Sequence, residues 1–116
     1  MLAQSIARIN DLKSLPLNEE NAPFRFEDAY EAVREALQAF MHLEGYNPYS
    51  HDATLIFAYE RHILTEAEFR RWDMYRQKRN DINYRSEKTT LEETTKAIER
   101  AAELVKKLEQ KFSDLL

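Results

Sequence analysis

The sequence predicts an all-α fold, an antiparallel up-and-down bundle of four to five helices. One glycine and three prolines among 116 residues leave little material for the tight turns of β-sheets. Hydrophobic residues make up 43% of the chain, which is enough apolar side chain for a core, and they recur at helical spacing. We expect one domain over residues 1–116, with an N-terminal helix and loop in 1–24 and the main bundle in 25–116.

The composition also limits the chemistry that the chain can carry. It contains no cysteine, which excludes disulfides, thiolate metal sites and a cysteine nucleophile. The first residues carry charges every few positions, unlike a secretory signal or a membrane anchor. Its three histidines lack the spacing of a metal motif. We therefore expect a cytoplasmic protein that uses no cofactor or metal and does not enter a membrane.

The first two helices follow from apolar spacing and from helix-ending residues. Four residues at intervals of three and four predict a first helix that ends before Pro16; they are Leu2, Ile6, Ile9 and Leu12. A second, core helix is predicted from Phe26 to Leu43. Gly45 and Pro48 follow at once, a pattern that predicts a left-handed C-cap at Gly45.

Three further helices complete the predicted bundle. The third spans Asp52 to Ile63, and the fourth begins after Thr65, with Glu68 at capping-box spacing, and runs to about Ile82. Thr89 or Thr90 can cap the fifth. The fifth helix carries a heptad with two apolar seams, composed of Leu91, Ile98, Val105 and Phe112, and of Thr94, Ala101, Leu108 and Leu115.

The fourth helix places two arginines on its aromatic face. One sector of roughly 140° holds Phe69, Trp72, Tyr75, Arg76, Arg79, Ile82 and Asn83. The opposite side, expected to face solvent, holds Arg70, Gln77, Lys78 and Asp81. Burying an unpaired guanidinium costs several kcal/mol, so Arg76 and Arg79 need partners.

Two interpretations of Arg76 and Arg79 remain open. The structural reading pairs them with a carboxylate of Glu31, Glu35 or Glu60, with stacking on Trp72 or Tyr75. The functional reading is a cleft in which Arg79 and Asn80 hold phosphate oxygens. Residues 61–88 are locally basic, with eight Lys or Arg against five Asp or Glu. That excess is compatible with a localised phosphate site.

The run YRQKRNDINYR, residues 75–85, is similar to the signature of HEPN domains, in which an arginine and a small polar residue precede a histidine late in a helical bundle. GYNPYSH, residues 45–51, resembles the segment after the second helix of several such proteins. The likeness covers most of residues 25–112. It implies a homodimer with the arginine-bearing helices facing each other across a cleft. It also implies metal-independent RNA cleavage or partnership with a nucleotidyltransferase in toxin–antitoxin pairs.

The chain departs from this signature at one position. Arg79 and Asn80 match it, but the residue five after Arg79 is Tyr84, and no histidine follows His62. A tyrosine with a pKa of about 10 is about one part in a thousand phenolate at pH 7, so activation of a 2′-hydroxyl should be poor. Tyr84 can still donate a hydrogen bond to phosphate or stack on a base.

The sequence thus predicts a phosphate- or nucleotide-binding site formed by Arg76, Arg79, Asn80, Asn83 and Tyr84. Catalysis would rest on Arg79 and Tyr84. The leading hypothesis is a HEPN-like dimer that binds RNA or nucleotide phosphate with weak or no ribonuclease activity. One alternative is a non-catalytic, partner-binding bundle, and another is an active metal-independent endoribonuclease that uses Tyr84 or a histidine such as His51 or His62. We expect the dimer because the fourth helix would otherwise expose much aromatic surface.

Overall fold

The computed structural model describes residues 2–46, 51–85 and 89–116, and within them the chain forms five α-helices and no strand. The helices are α1 (Leu2–Ser14), α2 (Ala22–Leu43), α3 (His51–Glu60), α4 (Glu66–Arg85) and α5 (Leu91–Leu115). The prediction of an all-helical bundle is therefore confirmed. Among the described residues, no helix carries an apolar stretch long enough to span a membrane.

Helix α2 is the centre of the bundle, since it packs against each of the other four helices. It begins at Ala22, before the predicted start at Phe26. Pro23 occupies its first turn, where a missing N–H breaks no helical hydrogen bond. The backbone amides of Asn18 and Asn21 each donate to the other's side-chain oxygen, at 3.0 and 2.9 Å, and these bonds organise the turn that enters the helix.

Helix α1 packs on α2 through buried apolar residues, and two of its polar side chains bond to α2. The fully buried Ser5 donates its hydroxyl to the carbonyl of Ala32 at 2.5 Å. Arg8 forms an ion pair with Glu35 at 2.7 Å. The apolar contacts come from Ile9 and Leu12, which are 5% exposed. The predicted N-terminal helix is thus part of the core.

Helix α5 follows the predicted heptad in its middle and departs from it at its ends. Thr90 caps it, accepting a hydrogen bond from the Glu93 amide at 3.0 Å. Four seam residues are buried, namely Thr94, Ala101, Val105 and Leu108, whereas Ile98 and Phe112 are only partly buried. At the ends, Leu91 is 36% exposed and Leu115 is 63% exposed. Sequence periodicity continues past the region that the other helices cover.

The connection between α3 and α4 differs from the prediction. Helix α3 ends at Glu60, and His62 adopts a left-handed conformation with a φ of 58°, so the predicted extension to Ile63 is wrong. The capping box that begins α4 is confirmed. The Thr65 amide donates to the Glu68 carboxylate at 2.8 Å, and the Glu68 amide donates to the Thr65 hydroxyl at 3.1 Å.

Gly45 adopts the predicted left-handed conformation after α2, with a φ of 82°. A Cβ at this position would meet no atom within 4 Å, so only backbone strain opposes substitution. We expect Gly45→Val to lower the free energy of unfolding by about 1 to 2 kcal/mol, since a β-branched residue is poorly suited to this region. Chemical denaturation measures the loss. Gly45→Asn should cost less, and an unchanged midpoint for the valine variant would contradict the assigned conformation.

Candidate functional site

Arg79 lies on the face that α4 presents to α2. Its guanidinium carbon is 5.2 Å from the centroid of the Tyr30 ring, a cation–π distance. Arg76, one turn earlier, has a side chain only 16% exposed and donates from Nε to the Asp73 carboxylate at 3.0 Å. Both arginines are therefore partly buried and positioned, as the helix projection predicted.

Asn80 and Asn83 extend this surface along α4, since residues three and four apart on a helix are neighbours. Asn80 is partly buried. Asn83 is exposed and donates from its side-chain nitrogen to the Glu27 carboxylate at 3.2 Å. The Tyr84 side chain lies outside the described part of the structure. The structure thus places Arg76, Arg79, Asn80 and Asn83 on the same helix, and Asn83 already has a protein acceptor.

Carboxylates on the same surface balance its positive charge. Glu27 lies beside Asn83, Asp73 beside Arg76, and Glu31 accepts from Arg34 at 2.8 Å. The surface, defined by three basic and three acidic residues, has no net charge; the basic ones are Arg34, Arg76 and Arg79. Such a surface does not attract a polyanion broadly.

Only one of the three carboxylates predicted to pair with Arg76 or Arg79 lies near these arginines. Glu31 belongs to this surface. Glu35 is bound by Arg8 on the α1 side of α2, and Glu60 is an exposed residue at the end of α3. Arg76 forms an ion pair with Asp73, on its own helix. The structural interpretation is therefore corrected for Glu35, which forms an ion pair with Arg8.

Tyr30 is the aromatic residue on which Arg79 packs, and sequence analysis did not identify it. Burial raises the pKa of its hydroxyl well above the ordinary value of 10.0, and the nearby Arg79 guanidinium opposes only part of that rise. The phenol is therefore neutral at physiological pH. A neutral, buried tyrosine cannot supply the base that the signature's histidine would provide.

The aromatic residues of α4 are more buried than the sequence indicated. Trp72 is 1% exposed and Tyr75 is 6% exposed. Tyr75 also accepts a hydrogen bond from Arg100 at 2.8 Å, while Phe69 stacks on Tyr59 with ring centroids 4.8 Å apart. The expected exposed aromatic surface is therefore wrong for Trp72 and Tyr75, because Tyr75 packs on Phe26 of α2 and Trp72 packs on Tyr75 within one protomer.

Lys78 was predicted to face solvent, and the structure corrects this. Its ammonium forms an ion pair with Glu93 of α5 and lies 5.9 Å from the Phe26 ring. Its side chain is only 25% exposed. A projection of one helix cannot reveal this partner, because Glu93 reaches Lys78 from a helix that begins after the next loop.

The described histidines lie away from Arg79. His62 lines a separate cleft with Leu43 and Lys111 at the far end of α2. Residues 30 and 43 of α2 are separated by about 20 Å along the helix axis, so His62 does not reach the Arg79 surface. The His51 side chain is outside the described part. Among the described residues, no three His, Asp or Glu side chains cluster as metal ligands.

The carboxyl group of Glu68 makes the stability of the bundle depend on pH in the acidic range. Burial alone would raise the pKa of its carboxyl, but the Thr65 amide and the Lys107 ammonium, 2.9 Å away, lower the pKa below its usual range. A lowered folded-state pKa adds stability above the ordinary value, near 4.5, that is lost as the pH falls through the folded value.

We therefore expect the free energy of unfolding to fall as the pH is lowered from about 5 to about 3, and to fall less steeply in Lys107→Met. At neutral pH the substitution should cost about 0.2 to 1 kcal/mol. Urea denaturation across this pH range measures both effects. Lys106→Met removes an exposed charge from the same helix and serves as the control. Parallel pH profiles for the wild type and Lys107→Met would contradict the assignment.

Comparison of the chain with protein-family models, with curated proteins and with solved structures finds no match.

Proposed function

We propose that this protein is a HEPN-like, non-catalytic helical bundle that binds one phosphate group of RNA or of a nucleotide through Arg79 and Asn80. In this proposal Arg76 and Asn83 border the site, and Tyr84 is the fifth candidate residue. The protein would act as a homodimer, as the HEPN resemblance implies, and would serve as the HEPN member of a toxin–antitoxin pair with a nucleotidyltransferase-type partner.

The order of contacts between helices supports the antiparallel part of this proposal. Along α4, Glu68 and Lys78 pair with Lys107 and Glu93 of α5, so the contacts run in opposite directions on the two helices. Opposite contact order is what antiparallel neighbours produce.

The observation that carries the proposal is the placement of Arg79. Its guanidinium packs on the Tyr30 ring, which restricts the side chain before any ligand arrives and lowers the entropy that binding must remove. A planar donor fork held in this way suits a phosphate. Asn80 is the next residue on α4 and can add an amide donor.

The same surface supports binding more than catalysis. The signature's histidine is replaced by Tyr84, and the phenol of Tyr30 stays neutral because burial raises its pKa. General-base activation of a ribose hydroxyl needs a group that is deprotonated near neutral pH. Neither tyrosine meets that need at an ordinary or raised pKa.

A second candidate function, a partner-binding bundle without a phosphate site, is favoured by the ion pair between Arg76 and Asp73. If both arginines serve only to form such ion pairs, then Arg76 and Arg79 stabilise the fold and contact no ligand. The two functions differ in what Arg79 contributes, which makes its substitution decisive.

Fluorescence anisotropy of a labelled single-stranded oligouridylate, titrated with the full chain in EDTA, tests the proposal. A site that holds one phosphate predicts saturable binding, competition by AMP and a salt slope of about −0.7. The oligonucleotide should remain intact on a denaturing gel. Absence of saturable binding would contradict the proposal, and metal-independent cleavage would favour the endoribonuclease. Light scattering on the same sample tests the homodimer.

A further inference from the structure

A cleft of about 550 Å³ lies at the end of the bundle remote from Arg79. It is formed by the C-terminal end of α2, the turn after α3 and the last turns of α5. Its apolar wall consists of Phe40, Leu43, Ile63 and Leu115. The volume falls within the range of about 300 to 1,000 Å³ typical of small-molecule sites.

The apolar wall exists because α5 continues beyond the helices that cover it. Leu108 is fully buried and Phe112 packs edge-on against Phe40 with ring centroids 5.3 Å apart. One turn later Leu115 is 63% exposed, and Leu43 is 48% exposed. Leu43 and Leu115 therefore expose apolar surface to solvent, and burying that surface against a ligand would lower the free energy.

Basic groups gather at the mouth of this cleft. Lys111 donates its ammonium to the carbonyl of Ile63 at 2.9 Å, next to Arg61 and His62. The left-handed backbone of His62 turns the chain at this point. Strained residues of this kind persist where the surroundings fix them, often at ligand sites.

The acidic groups at the cleft already have partners. Glu44 pairs with Arg61 at 3.3 Å, and Asp114 accepts from Gln110 at 3.0 Å. Within the described part of the chain, Lys111 contacts a neutral carbonyl and no carboxylate. An ammonium has three N–H donors, so a ligand carboxylate can bind Lys111 without displacing a protein anion.

We propose that this cleft binds a linear aliphatic carboxylate, a fatty acid of medium chain length. Its tail covers Leu43, Ile63 and Leu115, and its carboxylate accepts hydrogen bonds from Lys111. The apolar wall selects the tail and the ammonium selects the anion. The site is independent of the phosphate proposal, because it lies at the opposite end of α2.

Isothermal titration calorimetry with decanoate, below the concentration at which it forms micelles, tests the site. We expect saturable binding of decanoate and weaker binding of decanol, which lacks the charge. Lys111→Met should weaken decanoate binding about tenfold or more, as loss of a charge-assisted hydrogen bond does. Lys106→Met, on the exposed side of α5, and Arg79→Ala should leave it unchanged.

Leu115→Glu provides a second variant, since an exposed residue can be replaced without affecting folding. Its carboxylate should repel decanoate and abolish measurable binding. Equal affinity for decanoate and decanol, or unchanged binding in either cleft variant, would overturn the proposal. If a second copy of the chain covers this surface, decanoate will not bind and Leu115→Glu will convert a dimer to a monomer in light scattering. That result would also overturn it.

Discussion

Trp72→Ala should lower the free energy of unfolding by about 3 to 5 kcal/mol, the largest loss that we expect from a single substitution. Trp72 is 1% exposed and packs edge-on against Tyr75, with ring centroids 4.9 Å apart. Its removal deletes the largest fully buried side chain of the described core and leaves a cavity beneath α4. Rigid helices cannot collapse fully into such a space.

Urea denaturation followed by circular dichroism measures this loss, because Trp72 is the chain's only tryptophan and the variant lacks its fluorescence. Met74→Ala is the matched control on the same helix. Met74 is 56% exposed, so its truncation should change the stability by no more than about 0.5 kcal/mol. Equal effects of the two substitutions would mean that α4 does not pack on the bundle through Trp72.

Arg79→Ala should weaken binding of the labelled oligouridylate by about 1 to 3 kcal/mol, the range for a hydrogen bond to a charged group. Its effect on stability should be smaller, no more than about 1 kcal/mol, since the substitution removes the cation–π contact with Tyr30. Binding would then fall while the fold is retained.

The structural interpretation of Arg79 predicts the opposite result, a large loss of stability. If Arg79 chiefly neutralises a buried carboxylate, its loss leaves that charge uncompensated and costs about 3 to 5 kcal/mol of stability. Arg70→Ala is the control for both measurements. Arg70 is on the exposed side of α4, has a side chain 75% exposed and pairs only locally with Glu66. A large stability loss in Arg79→Ala, with no RNA binding by the wild type, would exclude the phosphate site.

Local signals in the sequence specified much of this fold. The spacing of Thr65 and Glu68 located the start of α4, and Gly45 located the end of α2, because both depend on backbone groups within a few residues. The central heptad of α5 was predicted from the spacing of its apolar residues, which is also a local signal. Its exposed last turn was not, since the length of neighbouring helices decides which seam layers are covered.

Contacts between distant helices could not be predicted in the same way. The projection of α4 placed Arg76 and Arg79 correctly on its inner face, but it could not identify Tyr30 as the residue beneath Arg79. That contact depends on the rotation and register of α4 against α2, which no motif fixes. Lys78 was misplaced for the same reason, because its partner Glu93 belongs to another helix.

The most direct measurement of the central claim is the NMR signal of arginine side-chain Nε–Hε groups during titration with oligouridylate. The phosphate proposal predicts a saturable shift of the Arg79 signal, together with the side-chain amide of Asn80, while the Arg70 signal remains unchanged. Saturable binding that shifts Arg70 as much as Arg79, or leaves Arg79 and Asn80 unchanged, would contradict it.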